Sequence, residues 1–368
     1  MIKESELLFE AGRPTIGEGS FGKVVAARYK PSGSPPEDSG RLVAVKSIKI
    51  QLEQGQRRQT QRAIPEAEKA NFLKELKALG AMKHINIITL YGVCHHADGA
   101  ISIVEELADG DLRDAIWAVR QKAPGTTLPR DLQLKYALDI ARGVAYMHAN
   151  GIVHCDLKPD NVLLCKGTAV LCDFGLVLAF NTTLTGRTLI GGAVGTLPYM
   201  APENYESHYL LPDGKMSVPN PWYQKPPSDV YSLGCILYEL ATGKLPFEDE
   251  KWNMIMLINR VVNHDVRPSF DGAKEVDEKL KLLIQSCWEK DPVKRPSAAD
   301  LVTELSDMYI GPRMPPHPDR LPALRNLVRV AQAHGVRDEW IPSLRNLEAF
   351  DVVSSGAAKP SLYLPHSR

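Results

Sequence analysis

The 368-residue sequence contains no run of about 18 consecutive apolar residues, so a membrane-spanning helix is not expected. It lacks a leader pattern as well: Met1 to Glu10 turns acidic early and has no apolar core. There is no excess charge of either sign, 44 Lys and Arg standing against 44 Asp and Glu. With no net field to draw it to nucleic acid or anionic membrane, neither is an expected partner. The six cysteines (Cys94, Cys155, Cys165, Cys172, Cys235 and Cys287) form no CxxC pair. A chain of this length needs no disulfide staples, which predicts reduced and mostly buried thiols. Taken together these absences predict a soluble, cytoplasmic protein with no transmembrane segment.

What is present is ordinary globular material arranged in two styles. Phe21 to Tyr29 and Leu42 to Ile50 read as strands, separated by the turn-forming stretch Pro31 to Gly40. A Gln-rich segment, Gln51 to Arg62, leads to a helical pattern in which Phe72, Leu76 and Leu79 make one apolar stripe. Ile85 to Val93 and Ala100 to Glu106 complete a small sheet. After Gly110 the pattern becomes helical, with segments at Leu132 to His148, Val230 to Leu240 and Leu280 to Trp288, and Gly151 as a helix stop. Two lobes with a cleft between them are expected. Pro312 to Pro318 reads as a linker. Beyond it Pro322-Ala-Leu-Arg-Asn-Leu327 is echoed by Pro342-Ser-Leu-Arg-Asn-Leu347, too few copies for a repeat array.

Ile16-Gly17-Glu-Gly19-Ser-Phe-Gly22-Lys-Val24 contains GxGxxG, whose glycines let a backbone approach phosphates closely. A dinucleotide fold needs a helix after the last glycine. Here the strand-like Lys23-Val-Val-Ala-Ala-Arg-Tyr29 follows, so the loop is expected to be a hairpin lid. Val43-Ala44-Val45-Lys46 follows it, and a lysine ending such a strand can reach the α and β phosphates. The carboxylate expected to fix it is Glu75, beside the apolar stripe.

His154-Cys-Asp156-Leu-Lys158-Pro-Asp-Asn161 and Cys172-Asp173-Phe-Gly175 resemble the catalytic loop and magnesium motif of eukaryotic protein kinases. With Lys46 and the glycine lid in order, residues from about 10 to 310 are similar to that family's signature set. Gly195 to Glu203 and Cys287 to Pro296 point to its serine/threonine type, in the tyrosine-kinase-like branch. The resemblance implies an α+β, two-lobed protein kinase fold: a small antiparallel β lobe with one helix (10–107) and a larger, mainly helical lobe (108–311). Residues 1–9 would be an extension, and 312–368 a linker and helical tail.

It implies ATP and Mg2+ as cofactors and protein substrates as partners. Asp156 would take the proton of the substrate hydroxyl, Lys158 would stabilise the transferring phosphoryl group, and Asn161 and Asp173 would hold metal. Ile16, Gly17, Gly19, Gly22, Val24, Ala44, Lys46, Glu75 and Leu163 would surround the nucleotide, with Glu105 to Leu107 as the hinge. His154 and Phe174 read as packing residues, stacked with Leu79 and Leu90. Glu203 would pair with Arg295, and Asp229 would brace the catalytic loop.

Asp-Leu-Lys-Pro-Asp-Asn and Thr196 favour serine and threonine over tyrosine, with dual specificity kept as an alternative. Loss of Lys46, Asp156, Asn161 or Asp173 would have marked a kinase-shaped scaffold instead, and none is lost. The sequence departs from the family at Cys155, where an arginine normally meets an activation-loop phosphate. A thiol cannot neutralise one, so activation is expected not to depend on phosphothreonine through that pocket. Cys172 is expected to face the nucleotide site. The long stretches at Gln51 to Arg62 and Leu210 to Pro227 read as insertions. The 204–228 region and the C-terminal tail are candidate docking segments for a partner.

Overall fold

The computed structural model describes residues 1–9, 15–19, 22–35, 37–47, 80, 82–96, 101–122, 126–173, 197–206, 225–273 and 276–310. The chain divides into two compact units, Met1–Leu305 and Ser306–Arg368. The helix around Glu75, the insertion at Gln51 to Arg62, Thr196 and residues 311–368 lie outside the described residues. So do Phe174, Leu79 and most of the Leu210 to Pro227 stretch.

Six strands make the first sheet: β1 (Leu7–Leu8), β2 (Thr15–Gly19), β3 (Gly22–Tyr29), β4 (Arg41–Ser47), β5 (Leu90–His95) and β6 (Ile101–Glu106). Their order is β1-β3-β4-β6-β5, with β2 paired to β3, and every pair is antiparallel. Side-chain alternation along β4 sets the two faces of this sheet. Val43 and Val45 pack with Ile2, Leu7, Val25, Ala27, Cys94 and Val104 in an apolar layer. Ala44 and Lys46 project from the other face. Residues 1–9, read from the sequence as an extension, thus contribute Ile2 and Leu7 to that layer.

The third expected strand, Ile85 to Val93, starts later than its apolar pattern suggested. Residues 85–89 form a turn in which Ile87 makes a parallel bridge to Leu171, and regular pairing begins at Leu90. Backbone bonds fix this turn, Ile88 N to Leu171 O at 2.9 Å and Leu171 N to Asn86 O at 2.9 Å. Long-range pairing has overridden local β propensity there.

A second sheet, β7 (Gly110–Asp111), β8 (Val162–Cys165) and β9 (Thr168–Leu171), floors the helical body. The body holds α1 (Leu112–Lys122), α2 (Arg130–Ala149), α3 (Pro202–Glu206), α4 (Pro226–Thr242), α5 (Met254–Asn263), α6 (Glu278–Cys287) and α7 (Ala298–Ile310). Helix α4 is buried nearly all round, as its mostly apolar sequence implies. It ends where Gly243 takes φ 68° and its N–H bonds the Glu239 carbonyl at 2.8 Å, a turn that only glycine makes cheaply. Within α4, Gly234 lets α6 approach: a Cβ there would lie 2.6 Å from Cys287 Cβ.

Candidate active site

The glycine loop is a hairpin. Strands β2 and β3 pair from Thr15 opposite Val25 to Gly19 opposite Gly22, so the strand-like flank distinguished this loop correctly from a strand-to-helix turn. Ile16 is about half exposed and Gly17 has open space where a Cβ would sit. Val24 pairs with Lys46 and is half-buried. Ala44 and Lys46 are each 5% exposed.

Lys46 Nζ contacts Asp173 Oδ1 in an ion pair that joins β4 to the residue after β9. Burial works against the Lys46 ammonium, but the Asp173 and Glu105 carboxylates outweigh it and hold its pKa above the ordinary lysine value. Asp173 adopts φ 59°, a left-handed conformation that costs a non-glycine residue energy and occurs often at functional sites.

The catalytic-loop motif follows α2 and is tied from below. The buried Asp229 carboxylate accepts from His154 N at 2.7 Å, Cys155 N at 2.9 Å and His148 Nε2 at 2.9 Å. These bonds hold Cys155 at φ 68°, which turns the chain so that Asp156 follows. Lys158 Nζ lies 2.9 Å from Asp156 Oδ2. Asn161 Nδ2 donates to the Asp156 carbonyl at 2.7 Å and to its Oδ2 at 3.0 Å. Cys172 N donates to the Asn161 carbonyl at 3.0 Å, setting Asn161 beside Asp173. The buried His154 donates from Nε2 to the Cys172 carbonyl at 3.0 Å, which suits its reading as a packing residue. Leu163, on β8, is half-buried and pairs with Asp111 on one side and Val170 on the other.

Because Asn161 spends its amide N–H groups on Asp156, its Oδ1 is the atom left to ligate. With the Asp173 carboxylate this makes a sparse, hard oxygen donor set. Among the described residues no cluster of three or more His, Cys, Asp or Glu exists. That combination fits magnesium, which one or two protein oxygens hold while phosphates and water supply the rest.

Two thiols differ from a reactive pattern. Burial, then Asp173 and Glu105, pushes the Cys172 thiol well above its usual pKa, and burial, then Asp229 and Asp156, does the same to Cys155. Neither is poised as a thiolate.

Glu203 and Arg295 pair through two bonds, of 2.7 and 2.9 Å, with both side chains buried. A further cluster went unread in the sequence. Arg113 bonds Tyr199 Oη at 2.8 Å, Asp160 Oδ2 at 3.0 Å and the Glu239 carboxylate. It links the catalytic loop, the 197–199 turn and α4. Arg113 sits in an amphipathic helix where an arginine reads as solvated, so no local signal marked it. Beside this cluster lies a cavity of about 530 Å³, whose walls include Trp117, Leu197, Phe247, Trp252 and Leu257.

The protein kinase domain family matches residues 11–305, and the chain belongs to that family. Among curated relatives, it is 30% identical over 294 residues to a probable serine/threonine-protein kinase of Dictyostelium discoideum, covering 80% of this chain and 27% of the relative. It is 30% identical over 293 residues to human mitogen-activated protein kinase kinase kinase 7, covering 78% of this chain and 40% of that protein. It is 31% identical over 303 residues to the serine/threonine-protein kinase mos of Patiria pectinifera, covering 79% and 72%. The chain therefore spans less than half the length of the first two.

Proposed function

We propose that this chain is a protein serine/threonine kinase that moves the γ-phosphoryl group of ATP to serine and threonine hydroxyls of protein substrates in intracellular signalling. The observation that carries the reading is one continuous line of contacts, Lys46–Asp173 on one side and Cys172–Asn161–Asp156–Lys158 on the other. Phosphoryl transfer needs alignment and charge neutralisation at one place more than it needs covalent help. Asp156 accepts the hydroxyl proton and Lys158 balances charge on the group in flight. Asn161 and Asp173 hold Mg2+, which supplies charge neutralisation on the phosphates. Lys46, assisted by Glu75, orients the α and β phosphates. Ile16, Gly17, Gly19, Gly22, Val24, Ala44 and Leu163 enclose the nucleotide.

The protein substrate enters past Asp160 and the 197–199 turn, next to the cavity beside Arg113. The 204–228 region and the tail after residue 311 are docking segments, and the setting is cytoplasmic. Cys155 leaves no cation for an activation-loop phosphate, so activity does not require one at Thr182, Thr183, Thr185 or Thr188. Loss of activity in the four-alanine variant, with its folding intact, would sink that part.

The test of the main reading is phosphoamino-acid analysis after incubation with labelled ATP, magnesium and a generic protein substrate, Asp156→Ala running alongside. Phosphoserine or phosphothreonine that vanishes in the variant is the expected result. Phosphotyrosine alone overturns the hydroxyl class. No transfer, with nucleotide binding retained, points to a scaffold.

A further inference from the structure

Glu105 is a buried carboxylate in the cleft to which the function above gives its side chain no task. The ladder between β4 and β6 pairs Ala44 with Glu105, Val45 with Val104 and Lys46 with Ile103. Partners across an antiparallel ladder project to the same face. Glu105 therefore projects with Ala44 and Lys46 into the cleft, while Val104 joins Val43 and Val45 in the apolar layer behind. Electrostatics agree with this placement, since Lys46 and Asp173 both act on Glu105.

Glu105 is only 9% exposed. The charges that act on its carboxyl are those of Asp173 and Lys46. Burial, with the charge of Asp173 added and Lys46 pulling the other way, pushes its pKa up to about 7. A buried carboxylate is costly unless donors compensate its charge. The Lys46 ammonium is shared with Asp173, to which it bonds.

Position along the strand tells which part of a ligand would meet this group. Ala44 and Lys46 are two residues apart, about 7 Å along the strand. Lys46 marks the phosphate end, so Ala44 and its cross-strand partner Glu105 mark the base end.

We propose that the Glu105 carboxylate selects the base, accepting a hydrogen bond from the exocyclic amine of adenine and disfavouring purines that present a carbonyl at that place. This rests on the nucleotide reading above. A carbonyl there would set two acceptors against each other with no proton between them, and a site built around one hydrogen-bond pattern rejects the opposite one. The carboxylate thus fixes adenine's amine edge from the inner wall, independently of any backbone contact the hinge makes.

The experiment is a fluorescence binding titration of the full chain at pH 8 in magnesium buffer, with mant-ADP and mant-GDP. Unaltered protein, Glu105→Gln and Glu105→Met are compared, with thermal unfolding as the folding control. Unaltered protein should prefer ADP, and the ADP-to-GDP preference should fall by about tenfold or more in both variants, as expected for a bond to a charged group. The glutamine variant should also gain affinity for GDP, since its NH2 can turn toward a carbonyl, whereas the methionine variant should not. If both variants bind ADP with a preference within about threefold of the original, the inference fails alone. If unaltered protein binds no nucleotide, the kinase reading fails with it. Should the variants not fold, mant-IDP decides on the unaltered chain, because inosine carries a carbonyl where adenine carries the amine. Affinity equal to that for mant-ADP overturns the inference, and a loss of about tenfold upholds it.

Discussion

Breaking the Glu203–Arg295 pair should cost more than either residue's exposure would suggest. The Arg295 side chain is 0% exposed and that of Glu203 3%, with two parallel bonds of 2.7 and 2.9 Å between them. Glu203→Gln keeps the shape but gives the buried guanidinium one neutral acceptor in place of a carboxylate, beside the Pro227 and Glu289 carbonyls and the Tyr231 ring. An uncompensated buried charge costs about 3–5 kcal/mol. Arg295→Met removes the carboxylate's bidentate cation instead and should cost about as much. The double variant carries no buried charge, so its loss should fall short of the sum by about 2 kcal/mol or more. Urea unfolding followed by tryptophan fluorescence reads all four corners of this cycle, and Trp288 lies within the same body. Additivity within about 0.5 kcal/mol would refute the reasoning, because it would mean each partner is compensated by something else.

Other perturbations follow from the geometry. Asp156→Asn should lower kcat by about 10²–10⁴-fold while leaving mant-ADP affinity unchanged, as removal of a proton acceptor does; an equal loss of nucleotide binding would assign Asp156 elsewhere. Asp229→Asn places an NH2 against the N–H groups of His154 and Cys155 and should depress kcat together with thermal stability, readable as a joint shift in assay and melting curve. Gly234→Ala drives a methyl into Cys287 and Trp288, costing about 1–3 kcal/mol by overpacking, against a helix-propensity gain of about 1 kcal/mol; a more stable variant would contradict the close approach. Burial, helped by Arg142, lowers the His84 pKa to about 4, so the unfolded chain binds the extra proton between roughly pH 6.5 and 4. Stability should therefore fall as pH drops through that window, by at most about 1.4 kcal/mol per pH unit from this group. Urea midpoints at pH 5 and 7 should be closer together in His84→Gln than in the original chain.

Much of this was legible in the sequence because it is written locally. The strand-like flank of the glycine loop, the helical stripe of α2 and the spacing of Asp156, Lys158 and Asn161 each lie within one short stretch of sequence. What was not legible depends on long-range register. The sequence offered Glu105 as part of a hinge, but which face its side chain takes is decided by the pairing of β4 with β6, and Val104 joining the apolar layer leaves Glu105 on the cleft face. The Arg113 cluster joins residues 47, 86 and 126 positions apart, a convergence that no local pattern announces. The late start of β5 likewise reflects a bridge from Ile87 to Leu171 rather than anything in residues 85–89 themselves.

On the nucleotide reading proposed above, the ion pair of Lys46 with Asp173 would make the cleft its own competitor. On that proposal, the ammonium that would meet a phosphate is paired with the carboxylate that would meet a cation, so a ligand would enter by exchange rather than by addition. A nucleotide arriving alone would draw Lys46 away from Asp173, and a metal arriving alone would draw Asp173 away from Lys46. Arriving together, each compensates the partner that the other releases. Metal and nucleotide should therefore raise one another's affinity by the same factor, a mutual dependence built from one contact between two side chains 127 positions apart.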